Sequence, residues 1–325
     1  MRGHAPQWAP VSRTTALLLA AAIVVLGVVA FFLLSGGEPA PEASPSPIAT
    51  PTVEPSPEPS PTLALNQELL NQRLTVLLVG VDLNEERRAP GVVGNTDVLM
   101  LASVRADQSQ VVLVSLPRDT VDVPLADGSF WSAKINGLFA ERGIDELVGA
   151  MATLYGVPIN GYVMIDMDDF AALVDAVDGV TVNPPEPLSD PPIGLDLQPG
   201  EQELDAPTAL SYVRTRIDQD YGRMGRQQEV ITNLVARLVD PETDVDLSEF
   251  LAGLDSLETD LPLDDLRTLI EIARRAQDAS VQRVLVQPPD MIVQEGELGD
   301  GRGYVLVPDI QAIHDAVTAL IPPEE

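Results

Sequence analysis

The sequence predicts an α/β fold, an α-β-α sandwich around a central mixed sheet, carried behind a single N-terminal transmembrane helix. Three observations predict it. Leu74–Val81 (LTVLLVGV) is a continuous apolar run rich in β-branched residues, the pattern of a strand covered on both faces. Residues 160–182 change period twice, from GYVMID through the amphipathic DDFAALVDAV to GVTV, which reads strand, helix, strand. Thr14–Gly37 holds no charged residue, and Ala16–Leu34 is almost entirely Ala, Leu, Ile, Val and Phe. That length matches the roughly 20 residues a helix needs to cross a bilayer.

Residues 1–14 read as a short tail and residues 15–36 as the span. A cleaved signal peptide is the alternative, but its apolar region is about 7–15 residues and ends in an A-x-A-like site, which is missing here. Arg2 and Arg13 precede the span, whereas Glu38 and Glu42 follow it. The positive-inside rule therefore puts the tail in the cytoplasm and the rest of the chain outside the cell membrane. Residues 37–70 read as a Pro- and Ser-rich extracytoplasmic linker with polyproline character, and residues 71–325 as one folded domain.

Within that domain, Asp82 closes the first strand and a polar loop leads to Thr96. Val98–Val104 and Val111–Leu116 are further strands, expected beside the first in one sheet. The ends of these strands present Asp82, Asp97, Arg118 and Asp119. Lys134, the only lysine, stands just before a helical pattern that starts at Ile135. Asn183–Gly200 reads as a proline-rich loop. Asp205 is the expected N-cap, and Pro207 a first-turn residue, of a helix reaching Val213. An arginine cluster interrupted by Gly222 comes next, and if 223–238 is one helix, Arg223, Arg226 and Gln227 share a face at i, i+3 and i+4. Helical segments at Leu247–Leu257 and Leu263–Ala276, strands at Val281–Val286 and YVLVP, and a closing helix at Ile310–Leu320 complete the domain.

Composition narrows the chemistry. Cysteine is absent and histidine occurs only at His4 and His314, which argues against thiolate or His-based metal sites and against a Ser-His-Asp triad. A net charge of −31 argues against nucleic acid as a partner, because phosphate neutralisation needs clustered cations. Against that acidic background, Arg214, Arg216, Arg223 and Arg226 fall within 13 residues. They read as a local anion site. Asp82 and Asp97 flank one loop and can converge on a cation, and their hard oxygens suit Mg²⁺ or Mn²⁺ held jointly with phosphate. Arg118, Lys134 and the cluster would supply donors to a pyrophosphate-like group. The competing reading of the same residues is a set of ordinary ion pairs, with Asp119, Asp218 and Asp220 answering the arginines.

The series GVD, TDVLML, SLPRDT, KIN, GYVMIDMDDFAALVDAVDGVTV and ALSYVRTRIDQDYGRMGRQQ resembles the LytR-CpsA-Psr family of cell-envelope proteins in order and spacing, from about Leu74 to Leu238. The resemblance implies a membrane-anchored, Mg²⁺-dependent phosphotransferase that takes a glycopolymer from a polyprenyl-pyrophosphate lipid, held in an apolar tunnel, to peptidoglycan. It implies Asp82 and Asp97 as metal ligands and Asp97, Arg118 and Asp119 as catalytic residues, Asp97 or Asp119 serving as base. It further implies Arg118, Lys134, Arg214, Arg216, Arg223, Arg226 and Gln227 as pyrophosphate contacts. Two positions depart from the family pattern: Asn95 stands where an arginine is usual, with Arg87 or Arg88 as possible substitutes, and Gly137 where a His or similar residue is common. The alternatives are a polyprenyl-pyrophosphate pyrophosphatase using water as acceptor, and a non-catalytic lipid-binding or regulatory envelope protein.

Overall fold

The computed structural model describes residues 65–83, 94–239, 257–262 and 265–323. The predicted tail, membrane span and linker up to residue 64, Arg87 and Arg88, and the helical segment at 247–256 lie outside the described residues. Among those described, no helix is long and apolar enough to cross a membrane.

Six strands form the central sheet: β1 (Leu74–Val81), β2 (Thr96–Val104), β3 (Gln110–Ser115), β4 (Gly161–Ile165), β5 (Glu258–Thr259) and β6 (Ser280–Leu285), in the spatial order β5-β4-β1-β2-β3-β6. β1, β2 and β3 pair antiparallel as sequential neighbours. β4 joins β1 and β6 joins β3 in parallel, so the sheet is mixed. Parallel neighbours need crossover connections, and helices supply them. The described helices are α1 (Gln67–Leu70), α2 (Leu138–Arg142), α3 (Ile144–Tyr155), α4 (Met167–Ala176), α5 (Ala206–Arg214), α6 (Gln219–Val239), α7 (Leu266–Arg275) and α8 (Ile310–Leu320).

The unbroken apolar run of β1 is explained by cover on both faces. Leu77 and Val79 pack with Leu147, Met151 and Leu154 of α3 and with Ile313 and Val317 of α8. Val76 and Leu78 pack with Leu69 and Leu70 of α1 and with Leu269, Ile272 and Ala273 of α7. Helix, sheet and helix are thus three layers. A third apolar cluster joins Leu173 and Val174 of α4, Ala209 and Tyr212 of α5, and Val230 and Leu234 of α6.

The structure departs from the sequence reading at four places. α1 lies inside the stretch read as linker to residue 70. Asn66 caps it, and Asn66 is tied to Asp265 and Thr268 at the start of α7, so the domain reaches back at least to residue 65. The loop at 183–200 carries a short antiparallel pair, Leu188–Asp190 with Leu195–Leu197. Ile292–Glu297 is a strand, paired with Tyr304–Pro308, and its charged, Gly-containing sequence gave no strand pattern. The helix expected over 223–238 starts earlier, since α6 begins at Gln219 and passes through Gly222.

One irregularity positions the site. Gly80 pairs with Val98 but Val81 pairs with Thr96, so Asp97 is the extra residue of a β-bulge. Such a bulge re-aims the side chain it carries. Gly80 is required beside it, since a Cβ there would stand 2.7 Å from Cγ2 of Val98. Gly80→Ala is expected to cost about 1–3 kcal/mol by overpacking, read as a lowered denaturant midpoint at unchanged slope.

Candidate functional site

The C-terminal end of β1, the bulge of β2 and the segment after β3 bring Asp82, Asp97 and Arg118 to one edge of the sheet. Beneath them opens a cavity of about 400 Å³ between the sheet and helices α4, α5 and α6. Leu78, Met100 and Val163 line it from the sheet. Phe170 and Leu173 of α4, Leu210 and Val213 of α5, and Ile231 and Leu234 of α6 line it from the other side. The rim carries Asp82, Asp97, Arg118, Arg214, Arg216, Arg223 and Gln227. α6 makes the polarity change legible, because Arg223, Gln227, Val230, Ile231 and Leu234 follow one another at helical spacing along its inner face. From Arg223 to Leu234 that face runs about 16 Å from charge to hydrocarbon.

The charges at the rim are coupled. Asp97 accepts from Nη1 of Arg118, and its second oxygen lies 3.9 Å from both Arg216 and Arg223. Asp220 pairs with Arg223 at 3.2 Å and with Arg216 at 3.6 Å. Arg223 is the most deeply placed of these cations, with a side chain 3% exposed. Burial pushes its pKa down to about 10, with the neighbouring charges of Asp220, Arg216, Arg118 and Asp97 acting after it. The Nε groups of Arg118 and Arg223 are buried and have no hydrogen-bond partner. Buried donors without acceptors are costly, and two of them at the mouth of one cavity indicate an anion-binding site.

Two members of the arginine motif serve the scaffold. Arg226 was predicted to contact pyrophosphate, but it does not line the cavity. Its guanidinium donates to the carbonyls of Tyr212 (2.9 Å) and Thr215 (2.6 Å) and to Asp218 (2.5 Å). Those carbonyls belong to the last turn of α5 and its cap, which have no N–H donors for them within the helix. Gln227 donates to a third, that of Val213, at 3.2 Å while lining the rim. Gly222 makes room for the arrangement, since a Cβ there would sit 2.0 Å from Asp218. Spacing correctly grouped Arg223, Arg226 and Gln227, but it could not show that Arg226 would be consumed by the neighbouring helix.

Lys134 and Asp119 also stand apart from the cavity lining. They pair with each other at 2.8 Å, and Asp119 lies 3.9 Å from Nε of Arg118. They therefore flank Arg118 from outside the cavity. Asn95 is exposed and its carbonyl accepts from the Asp82 N–H at 2.9 Å. A Cβ at Gly137 would meet nothing within 4 Å. The apolar lining from α4, α5 and α6 was not singled out from the residues, since each side chain reads as ordinary core. The signal that could have found it is the charged-to-apolar progression along α6.

Among the described residues no group of three or more His, Cys, Asp or Glu side chains is placed to hold a metal ion. The rim's pair, Asp82 and Asp97, fits a hard divalent cation only where substrate phosphates complete the coordination, the arrangement Mg²⁺ commonly adopts.

Comparison with known proteins gives the same outline. The model of the LytR_cpsA_psr family matches residues 49–314. A polyisoprenyl-teichoic acid–peptidoglycan teichoic acid transferase, TagU, of Enterococcus faecalis is 33% identical over 235 residues, which cover 71% of this chain and 73% of that protein. A probable cell wall biosynthesis protein, LcpB, of Corynebacterium glutamicum is 37% identical over 154 residues, 46% of this chain and 36% of its own length. The crystal structure of TagV from B. subtilis superposes with a TM-score of 0.64 at 22% identity, covering 78% of this chain and 99% of that one, and shows that the fold is shared.

The division of labour among the arginines is measurable. Arg226→Ala should destabilise the fold by about 2–4 kcal/mol, because it leaves buried carbonyls unpaired. Arg214→Ala should stay within about 0.5 kcal/mol of the parent in the same denaturation assay, as expected for an exposed side chain.

Proposed function

Because this chain belongs to the LytR_cpsA_psr family, we propose that it is a membrane-anchored phosphotransferase that moves a glycopolymer from a polyprenyl-pyrophosphate carrier to peptidoglycan. One observation carries the reading: unpartnered, buried guanidinium donors of Arg118 and Arg223 stand at the mouth of a cavity whose walls are hydrocarbon. A lipid with a pyrophosphate head meets both demands at once. Its chain fills apolar volume that water occupies poorly, and its phosphate oxygens accept from the arginines. The names of the relatives, with teichoic acid transfer and cell wall biosynthesis among them, support the same class.

In this reading Arg118, Arg216 and Arg223 bind and orient the pyrophosphate, and Arg214 adds a further cation at the rim. Mg²⁺, or Mn²⁺ in its place, would be held by Asp82 and Asp97 and would supply neutralisation of charge on the phosphate oxygens. An acceptor sugar hydroxyl forms a bond to the sugar-proximal phosphorus. The bond from that phosphorus to the bridging oxygen breaks, and polyprenyl monophosphate leaves. The hydroxyl proton passes to Asp97, the carboxylate that lines the rim and is nearest the arginines. Asp119 and Lys134 act on Arg118 by holding its outer side. Catalysis of this kind rests on positioning and on charge stabilisation more than on covalent chemistry by the protein. The Pro- and Ser-rich stretch before the domain would act as a spacer outside the cell membrane, with the span at 15–36 as anchor.

The test is transfer from a lipid-linked glycan to peptidoglycan by the full-length protein in detergent. Asp97→Ala and Arg118→Ala should each lower transfer by about 10²-fold or more. Full transfer by both variants would refute the site assignment. Release of glycan phosphate to water alone, with nothing on peptidoglycan, would replace transfer with hydrolysis.

A further inference from the structure

The cavity and its rim provide for the lipid and the pyrophosphate, and a second surface meets the same arginines from outside. The hairpin of Ile292–Glu297 and Tyr304–Pro308 is bonded to the segment that follows Arg118. The Leu306 N–H donates to the Asp119 carbonyl at 3.1 Å, the Val121 N–H donates to the Leu306 carbonyl at 2.9 Å, and Thr120 bridges Leu306 in parallel. Two residues before that bridge on the hairpin, Tyr304 lies within electrostatic reach of Glu295, Asp220 and Asp119. From the other strand of the hairpin, Glu295 accepts from the Tyr221 hydroxyl at 2.9 Å. Tyr221 is in the first turn of α6, next to Asp220, which pairs with Arg216 and Arg223.

Tyr304 is 49% exposed, and neither it, Glu295 nor Tyr221 lines the cavity. Desolvation, followed by the negative charges of Glu295, Asp220 and Asp119, pushes the Tyr304 hydroxyl up, so it stays a neutral phenol. Beyond Glu295 the surface continues as a groove of about 460 Å³ bordered by Pro288, Pro289, Ile292 and Val293.

We infer that Tyr304, Glu295 and Tyr221 form the subsite that receives the acceptor sugar, on the outer side of Arg118 and Asp220. This rests on the transfer reading above and specifies where its second substrate binds. In-line displacement requires the attacking hydroxyl to approach opposite the leaving group. The leaving polyprenyl phosphate is held by the cavity, so the acceptor arrives from outside it. A pyranose presents an apolar C–H face and an edge of hydroxyls. An exposed aromatic face with a carboxylate and phenol hydroxyls beside it matches both. The groove along Ile292 and Val293 would take neighbouring sugars of the same strand.

The experiment compares the parent with Tyr304→Ala, Tyr304→Phe and Glu295→Gln, using a short soluble amino-sugar oligosaccharide released from peptidoglycan as probe. Saturation-transfer NMR without donor reads probe binding, and the transfer assay reads acceptor KM. Tyr304→Ala should weaken probe binding and raise acceptor KM by about tenfold. Tyr304→Phe should retain most of the parent's affinity, Glu295→Gln should fall between, and thermal stabilisation by the lipid donor should be unchanged in all three. Parent-like probe affinity in both Tyr304→Ala and Glu295→Gln, or a parent that does not bind the probe, overturns the subsite. Tyr304-dependent probe binding without any transfer by the parent upholds the subsite and refutes the transfer reading.

Discussion

Arg226 bonds the carbonyls of Tyr212 and Thr215 and the carboxylate of Asp218 from a buried position, and so fastens the last turn of α5 to the first turns of α6. The rest of the site depends on this junction. Arg214 and Arg216 leave the end of α5, while Arg223 and Gln227 enter from α6, and all four reach one rim because the two helix ends are joined. Gln227 repeats the device at Val213, and Gly222 leaves space for Asp218 to fold back. A helix terminus leaves carbonyls without partners, and here those orphan acceptors are what orders the rim arginines.

The same region concentrates positive charge in a chain of net charge −31. Asp97 answers Arg118, Arg216 and Arg223, Asp220 answers Arg216 and Arg223, and Arg223 is buried deeply enough that its own charge is disfavoured. A like-charged cluster of this kind is stabilised by Asp97 and Asp220, and a bound polyanion would stabilise it further. The cost of gathering these cations and the stabilisation a polyanion would bring therefore have one physical origin. Arg118 and Arg223 each keep an unpaired Nε donor, while Arg226 has used its own donors in the fold.

The sheet contributes a fixed edge. Its two faces are covered by different helices, and the β1–β2 bulge turns Asp97 out of the regular alternation toward the rim. On one side of that edge lies a hydrocarbon-walled cavity, on the other a hairpin carrying Tyr304 and Glu295. The polar centre is thus set between an apolar compartment and an open, sugar-compatible surface, the order in which a lipid-borne donor and a glycan acceptor would have to meet.

Much of this was legible in the residues. The both-face burial of Leu74–Val81, the Asp205 cap and the grouping of Arg223, Arg226 and Gln227 all follow from local patterns of period two and 3.6, which depend on neighbours in the chain. Asp82, Asp97 and Arg118 could be placed at strand ends for the same reason. Tertiary structure alone decided that α1 is packed into the domain, that Arg226 is spent on α5, that Lys134 answers Asp119, and that the hairpin carrying Tyr304 is bonded to the segment after Arg118. Each of these depends on a partner far away in sequence, and a side chain's remaining hydrogen-bonding capacity is known only once that partner is in place.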